Sequence, residues 1–131
     1  MRKKLGLFAN IRPTFTFDSL VENSPLKKSK IEGTDLIFVR ELTGGIYFGE
    51  SGRKNNGESA FDTCEYDRDE IIRLAKKGFE IADKRKKKLC CVDKANVLET
   101  SRLWRETIQE MEKDYPNIQV SYELVLSLIH I

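Results

Sequence analysis

The sequence predicts an α/β protein, in which apolar strands alternate with amphipathic helices. The run "LIFV" at residues 36–39 is continuously apolar, as in a strand that is buried on both faces. Residues 71–82 then carry apolar side chains at helical spacing, and the run "LCCVD" at residues 89–93 predicts another strand. A strand, a helix and a strand in this order are typical of a sheet that is covered by helices.

The other strands are predicted from the residues at their ends. A first strand at residues 7–11 is expected to stop before Pro13, because proline cannot donate to a β-ladder. Asn56 and Gly57 form a strong turn signal between the segments "IYFGE" and "AFDTCEY", which predicts a projecting β-hairpin. The alternating segment "IQVSYELV" at residues 118–125 predicts a final strand.

The first long helix is predicted to begin at Asp67, where Glu70 completes a capping-box pattern. It ends in the cations "KRKKK", which the helix dipole favours at a carboxyl end and which are interpreted as solvated rather than phosphate-binding. Its predicted core positions are Ile71, Leu74, Ala75, Phe79 and Ala82.

The second long helix is predicted at residues 98–115, before Pro116. Its apolar residues follow a heptad spacing in which Ser101 fills one step: Val97, Trp104, Ile108, Met111 and Tyr115. A narrow seam of this kind often packs against other helices, sometimes those of a second subunit.

The composition of the 131 residues suits one soluble domain, with 40% hydrophobic and 34% charged residues and a net charge of +2. These values argue against disorder, a membrane span and attraction of nucleic acid by global charge. Of the three cysteines, Cys90 and Cys91 are adjacent on a predicted strand, so they point to opposite faces and cannot easily pair. An odd number of cysteines without framework spacing predicts reduced thiols in a cytoplasmic protein.

The functional candidates are cations that follow apolar strands. The single His130 near the end of the chain and the lack of a zinc-binding motif exclude histidine-based catalysis and HExxH metal sites. Arg12, Arg40 and Lys94 each follow an apolar run, and ligands of α/β sheets bind at strand ends. The two guanidinium groups suit carboxylate or phosphate, and a desolvated lysine can act as a base. The alternative is that all three make structural ion pairs, so the pattern alone leaves the function open.

Several segments occur in an order that resembles one enzyme family. They are "GLFANIRP" (6–13), "SPLK" (24–27), "VRELTGGIYFGE" (39–50), "AFDT" (60–63), "CVDKANVLE" (91–99), "LWRE" (103–106) and "YP" (115–116). Together they resemble the 3-isopropylmalate dehydrogenases of the isocitrate/isopropylmalate dehydrogenase family. The resemblance implies a partial isopropylmalate-dehydrogenase-like fold, namely a substrate-binding and dimerisation domain. The hairpin at about residues 45–66 would be its projecting arm.

The resemblance also implies an activity. Enzymes of this kind carry out the NAD-dependent oxidative decarboxylation of 3-isopropylmalate to 4-methyl-2-oxopentanoate in leucine biosynthesis, with Mg²⁺ or Mn²⁺ as the metal. By residue-to-residue match, the substrate is bound by Arg2, Arg12 and Arg40, and three cations suit a dicarboxylate.

The same resemblance implies two catalytic residues and a cofactor contact. Lys94 would take the proton of the C2 hydroxyl group, and Tyr47 would protonate the enol that decarboxylation leaves. Asn96 would lie near the substrate and the nicotinamide. The resemblance further implies a homodimer, in which one active site uses residues of both subunits.

Some features depart from the family pattern. The pattern of the family is more than twice as long, and Leu126 stands where it has its first metal-binding aspartate. Residues 1–125 are therefore expected to be an internal fragment that is inactive alone. The tail at 126–131 resembles a translated sequencing adapter and is hypothesised to be an assembly artefact. Two alternatives stay open: a non-catalytic dimerisation or binding module, and a sibling dehydrogenase for malate, tartrate or isocitrate.

Overall fold

A computed structural model describes residues 4–130, and Arg2 therefore lies outside the described residues. Strands alternate with helices as the sequence predicts, so the α/β class is confirmed. The strands are β1 (Ala9–Phe15), β2 (Asp35–Glu41), β3 (Ser51–Lys54), β4 (Ser59–Asp62), β5 (Lys88–Asp93) and β6 (Gln119–Leu124). The α-helices are α1 (Lys28–Ile31), α2 (Arg68–Asp83) and α3 (Glu99–Met111).

Strands β1 and β2 form an antiparallel pair that continues through Pro13. The predicted stop before Pro13 is wrong, since this residue lies in register with Ile37. In the part of the chain that the structure describes, β1 pairs on one side only, and an edge strand tolerates proline because its outward N–H needs no partner.

Strand β2 is exposed on one face in this chain. Leu36 is 41% exposed and Phe38 57% exposed, so the prediction of a strand buried on both faces is wrong for the described residues. Ile37 and Val39, on the other face, are partly buried. The apolar run therefore has more hydrophobic surface than its present neighbours cover.

The predicted hairpin is present, with β3 antiparallel to β4. Its turn spans Asn55–Gly57, where Asn55 and Asn56 adopt left-handed φ values of 52° and 54°. The segment "IYFGE" is not its first strand, because Gly45–Tyr47 form a 3₁₀ turn. The chain turns there because the Glu41 carboxylate accepts hydrogen bonds from the backbone just after β2, an alternative to extending the ladder.

The core lies between α2, α3 and the parallel pair β5–β6. All five predicted core positions of α2 are buried, and Phe79 is fully inaccessible. The predicted start of α2 is confirmed, since the Asp67 N–H donates to the Glu70 carboxylate at 3.2 Å. On β5, Cys90 is exposed and Cys91 is buried, which confirms that they face opposite sides.

The apolar residues at heptad spacing on α3 pack against the core of their own chain. Ile108 is 4% exposed, Trp104 and Met111 pack against the core, and the Tyr115 ring stacks on Phe79 at 4.4 Å. A second subunit is therefore not needed to explain the seam. The helix itself ends at Met111, and a 3₁₀ turn at Glu112–Asp114 follows. None of the described helices is long and apolar enough to cross a membrane.

Candidate substrate-binding cleft

A cleft of about 430 Å³ opens where β2 and β5 end. Arg12 of β1 and Arg40 of β2 line it together with Tyr47, and Trp104 of α3 forms part of its apolar wall. Three of the residues predicted from the sequence are therefore brought together in one site. Their chemistry, two cations beside a phenol, suits an anionic ligand.

Arg12 and Arg40 lie on the same face of the β1–β2 pair. Asn10 is directly opposite Arg40 and Phe38 is opposite Arg12, so the two arginines are diagonal neighbours across the strands. The Nε of Arg12 donates to the side-chain oxygen of Asn10. This hydrogen bond holds the Arg12 side chain on that face of the β1–β2 pair. Two guanidinium groups at this spacing can bind two carboxylates of one small molecule.

Tyr47 is held against Arg40. The Nη2 of Arg40 donates to the Tyr47 hydroxyl oxygen at 2.7 Å, and its guanidinium carbon lies 5.3 Å from the ring centroid. Because the phenolic oxygen accepts this bond, its own hydrogen is left to donate elsewhere. The ring is 62% exposed, so that hydrogen can reach a ligand in the cleft.

A buried carboxylate organises the loop between Arg40 and Tyr47. One oxygen of Glu41 accepts from the N–H and the hydroxyl of Thr43, both at 2.7 Å, and the other accepts from the Gly44 N–H at 2.8 Å. Burial by itself would raise the pKa of Glu41, but these hydrogen bonds outweigh it and lower the pKa. These hydrogen bonds fold the loop back toward β2, so that Tyr47 contacts the guanidinium group of Arg40.

The two glycines of this loop make room for Tyr66. A Cβ atom on Gly45 would lie 2.3 Å from the Tyr66 hydroxyl oxygen, and one on Gly44 would lie 2.9 Å from its ring. Gly45 also has a φ of 68°, which other residues rarely adopt. Tyr66 packs edge-on against Trp104 at 5.2 Å, and burial raises its pKa. Sequence reasoning missed Tyr66, although an aromatic residue just before a helix cap was a usable signal.

A second buried carboxylate organises the turn after β5. The side chain of Asp93 is 2% exposed and accepts two hydrogen bonds from Arg105 of α3, at 2.8 and 3.0 Å. It also accepts from the Ala95 N–H at 2.9 Å, while Arg102 donates to the Ala95 carbonyl oxygen at 2.9 Å. This pair was missed too. Its signals were an acid directly after a buried strand and the arginine of "LWRE".

Lys94 and Asn96 lie on this second turn. Lys94 is partly buried and Asn96 is exposed, and neither lines the cleft that contains Arg40. They are therefore not among the residues that line the cleft, although the adjacent Asp93 does line it. The turn that carries both is nevertheless held rigidly, since Asp93 and Ala95 are each tied to α3.

Metal-ligating side chains do not cluster in the described residues. Among residues 4–130, no three histidine, cysteine, aspartate or glutamate side chains lie close enough to hold a metal ion. Asp93 is engaged by Arg105, and Gly44 and Gly45 accommodate Tyr66 rather than opening a helix toward a phosphate.

Fold and cleft define the class: an α/β protein with a cleft at the ends of β2 and β5 that two arginines line. Over residues 1–130 the chain matches the family described as isocitrate/isopropylmalate dehydrogenase. The chain belongs to this family, as the resemblance of its motifs predicted.

Individual relatives show how much of such a protein the chain spans. A 3-isopropylmalate dehydrogenase of Moorella thermoacetica is 54% identical over 127 residues, which are 95% of this chain and 36% of that protein. One of Bacteroides fragilis is 56% identical over 125 residues, which are 95% of this chain and 35% of that protein. A crystal structure of isocitrate dehydrogenase from Methylococcus capsulatus matches with a TM-score of 0.84 and 29% identity, covering 95% of this chain and 36% of that one. The chain thus spans about a third of the length of these relatives.

Proposed function

We propose that this chain is the substrate-binding part of an NAD-dependent 3-isopropylmalate dehydrogenase of leucine biosynthesis in the cytoplasm. The reaction would oxidise 3-isopropylmalate at C2 and release carbon dioxide to give 4-methyl-2-oxopentanoate. The observation that carries the proposal is the single cleft that contains Arg12, Arg40 and Tyr47. Its support is the identity of 54% to the Moorella thermoacetica relative over 127 residues.

The cleft chemistry fits the proposed substrate. 3-Isopropylmalate carries two carboxylates, and Arg12 and Arg40 are diagonal neighbours that can each bind one, with Arg2 as the third predicted cation. Binding both carboxylates in this way would align the reacting carbon atoms with Tyr47. The Tyr47 hydroxyl group, which accepts from Arg40, keeps its hydrogen for donation to the carbon that decarboxylation leaves as an enol.

Lys94 and Asn96 would serve the cleft of a second subunit. This proposal is supported by the fact that neither residue lines the cleft of its own chain and by the hydrogen-bonded turn that carries both. In the assembled site Lys94 would take the proton of the C2 hydroxyl group, and Asn96 would contact the nicotinamide. A homodimer that pairs the β3–β4 hairpins of its two subunits is the assembly that this requires.

The metal would be held elsewhere. Mg²⁺ or Mn²⁺ needs oxygen ligands that residues 4–130 do not cluster, so those ligands would come from outside this part of the chain. The isolated chain should accordingly show no NADH formation with 3-isopropylmalate.

A chimaera tests the proposal. Residues 1–125 of this chain replace the matched segment of the Moorella thermoacetica protein, and NADH formation is followed with 3-isopropylmalate, malate and isocitrate. The proposal expects 3-isopropylmalate to be the preferred substrate. Preference for malate or isocitrate would identify a sibling dehydrogenase, and a folded dimer without any turnover would favour the non-catalytic module.

Within the chimaera, the guanidinium of Arg40 can be tested directly. Arg40→Lys removes the hydrogen bond to Tyr47 and the planar fork, so kcat/KM should fall by about 10- to 100-fold. Arg68→Lys is the matched control, because Arg68 is exposed on α2 and pairs with Glu110 away from the cleft. An equal loss in both variants would count against a specific role of Arg40.

A further inference from the structure

Tyr66 lies between helix α3 and the 3₁₀ turn that carries Tyr47. Its ring packs edge-on against Trp104 of α3, with 5.2 Å between the ring centroids, and Trp104 in turn packs against the core. Tyr66 also contacts the loop after β2, because added Cβ atoms on Gly44 and Gly45 would lie 2.9 Å and 2.3 Å from it. One aromatic side chain thus fills the space between this turn and a core helix.

The backbone just before Tyr66 is attached to the same turn. The Gly45 N–H donates to the Glu65 carbonyl oxygen at 2.8 Å. An added Cβ atom on Gly49 would lie 1.9 Å from the Thr63 carbonyl oxygen, so the two segments are in direct contact there as well. The turn therefore packs along the segment that leads into α2, and Tyr66 is the aromatic residue at the end of that contact.

The hydrogen bonds of the loop do not by themselves fix the turn. The Glu41 carboxylate accepts from residues that precede the turn, and Arg40 contacts the Tyr47 side chain at its far end. Between these two contacts lies Gly45, whose backbone can adopt more conformations than that of other residues. The Tyr47 ring is 62% exposed, so its own packing does little to hold it. The Tyr66 ring, which lies against Gly45, therefore limits how this turn can move.

We propose that Tyr66 is a positioning residue for the proton transfer from Tyr47. By filling the space beside Gly45, its ring sets the distance between the Tyr47 hydroxyl group and a ligand in the cleft, which Tyr66 also lines. This inference rests on the proposed function and deepens it, because it assigns Tyr66 to one of the two steps of the reaction. Lys94, which serves the other step, lies on a different turn.

The step concerned is the protonation of the enolate that loss of carbon dioxide leaves. The Tyr47 O–H bond breaks, and its proton bonds to C3 through the electron pair of the C2–C3 double bond, while C2–O becomes the carbonyl group. Water then reprotonates the phenolate, since the ring is exposed. Because the proton moves only over a short distance, a displacement of about 1 Å can slow this step by about 100-fold. The oxidation at C2 uses Lys94 and does not depend on that distance.

The ring of Tyr66, and not its hydroxyl group, carries this role. The hydroxyl oxygen lies against Gly45, and burial raises the pKa of Tyr66, so this phenol stays protonated at neutral pH. Tyr66→Phe keeps the ring and its contacts with Trp104 and the turn. Tyr66→Leu removes the ring and leaves a space between them, into which the turn can move.

The experiment measures the two steps separately in the chimaera that carries residues 1–125 of this chain. Exchange of the C3 hydrogens of 4-methyl-2-oxopentanoate in deuterium oxide with Mg²⁺, followed by proton NMR, reports the proton transfer. Single-turnover NADH formation from 3-isopropylmalate reports the oxidation. The proposal expects Tyr66→Leu to lower the exchange rate at least about tenfold and the rate of NADH formation less than about threefold. Tyr66→Phe should recover most of the lost exchange. Equal losses in the two steps, or an unchanged exchange rate, overturn the proposal.

Tyr115→Leu is the matched control. The Tyr115 ring is also packed, since it stacks on Phe79 at 4.4 Å, but it does not line the cleft. Its removal should lower stability without changing the ratio of the two rates. A ratio that falls as far in Tyr115→Leu as in Tyr66→Leu would assign the effect to a general loss of packing and overturn the proposal. If Tyr66→Leu does not fold, Tyr66→Met decides by the same ratio, because its flexible side chain fills more of the space.

A spectroscopic measurement separates this inference from the proposed function. The chimaera is labelled with 3-fluorotyrosine, and the fluorine resonance of Tyr47 is assigned as the one that Tyr47→Phe removes. The proposal expects Tyr66→Leu to move this resonance toward that of the free amino acid, and Tyr66→Phe to leave it near its original position. A chimaera with this pattern but no turnover contradicts the proposed function and supports the positioning of Tyr47 by Tyr66. An active chimaera whose Tyr47 resonance is unchanged in Tyr66→Leu contradicts the positioning alone.

Discussion

The loop after β2 and the turn after β5 differ in how each provides hydrogen bonds to a buried carboxylate. Each strand ends in a buried acid: Glu41 is 9% exposed and Asp93 is 7% exposed. Glu41 is satisfied by neutral donors within three residues, whereas Asp93 receives the guanidinium of Arg105 from twelve residues away. The first loop is thus organised locally, and the second is attached to another helix.

This difference matches what each segment carries. The loop after Glu41 brings Tyr47 into contact with Arg40, and hydrogen bonds within the loop are sufficient for this. The turn after Asp93 carries Lys94 and Asn96, which do not line the cleft, and it is attached to α3 through Asp93 and Ala95. If Lys94 acts in the cleft of a second subunit, as proposed, its position depends on the rigidity of the turn that carries it.

The largest expected loss of stability follows from removing Arg105, which connects α3 to the turn after β5. Arg105→Ala leaves the Asp93 carboxylate buried without its cation, which should destabilise the chain by about 3–5 kcal/mol. Urea unfolding followed by circular dichroism measures the loss. The double variant Asp93→Asn with Arg105→Ala removes the unpaired charge and should recover part of it. A double variant that is no more stable than Arg105→Ala would show that the charge pair is not the cause.

The next effect lies in the other loop. Gly45→Ala adds a Cβ atom 2.3 Å from the Tyr66 hydroxyl oxygen at a φ of 68°, so we expect a loss of about 2–3 kcal/mol. Gly57→Ala is the matched control, since its φ is 96° but nothing lies within 4 Å of the added atom. It should lose only the backbone part, about 1 kcal/mol. Similar losses in both variants would mean that the packing of Tyr66 contributes nothing.

The sequence predicted the features that depend on neighbouring residues. The capping box of α2, its five core positions and the opposite faces of Cys90 and Cys91 follow from local spacing, and the structure confirms them. The motifs also placed Arg12, Arg40 and Tyr47 in one cleft through the resemblance to a family. The helix and strand features were predictable because periodicity and capping act within a few residues.

The features that the sequence did not predict depend on distant partners. The Asp93–Arg105 pair joins residues twelve positions apart, and Tyr66 fits against glycines about twenty residues earlier. The path of β1 through Pro13 depends on its being an edge strand, which no local pattern shows. The exposure of Phe38 likewise depends on which segments pack against β2, and the apolar run itself does not show this.

A smaller effect is expected from the locally satisfied carboxylate, and it depends on pH. The pKa of Glu41 is lower in the folded chain than its usual value of 4.5, because hydrogen bonds to its ionised form outweigh the opposing effect of burial. The stability it contributes is therefore present above the pKa of the unfolded chain and is lost as the pH falls through the folded pKa. Glu41→Gln should cost about 1–2 kcal/mol at pH 7, because one oxygen acceptor becomes an amide donor.

The Glu41→Gln prediction is checked by urea unfolding between pH 7 and pH 3. The difference in free energy of unfolding between the original chain and the variant should shrink as Glu41 becomes protonated. A matched control is Glu58→Gln, since Glu58 lies exposed in the hairpin turn. A difference that stays constant over this pH range would show that the charge of Glu41 plays no part in closing the loop.

The smallest effect separates the two arginines that support the turn after β5. Arg102 donates to the Ala95 carbonyl oxygen at 2.9 Å, yet its side chain is 44% exposed and touches no buried charge. Arg102→Gln should therefore cost less than about 1 kcal/mol in the same urea titration, because water can replace the lost donor. The turn would then depend on Arg105 chiefly because Asp93 is buried, and not because two arginines contact it. A loss as large as that of Arg105→Ala would instead assign the support to the hydrogen bond at Ala95.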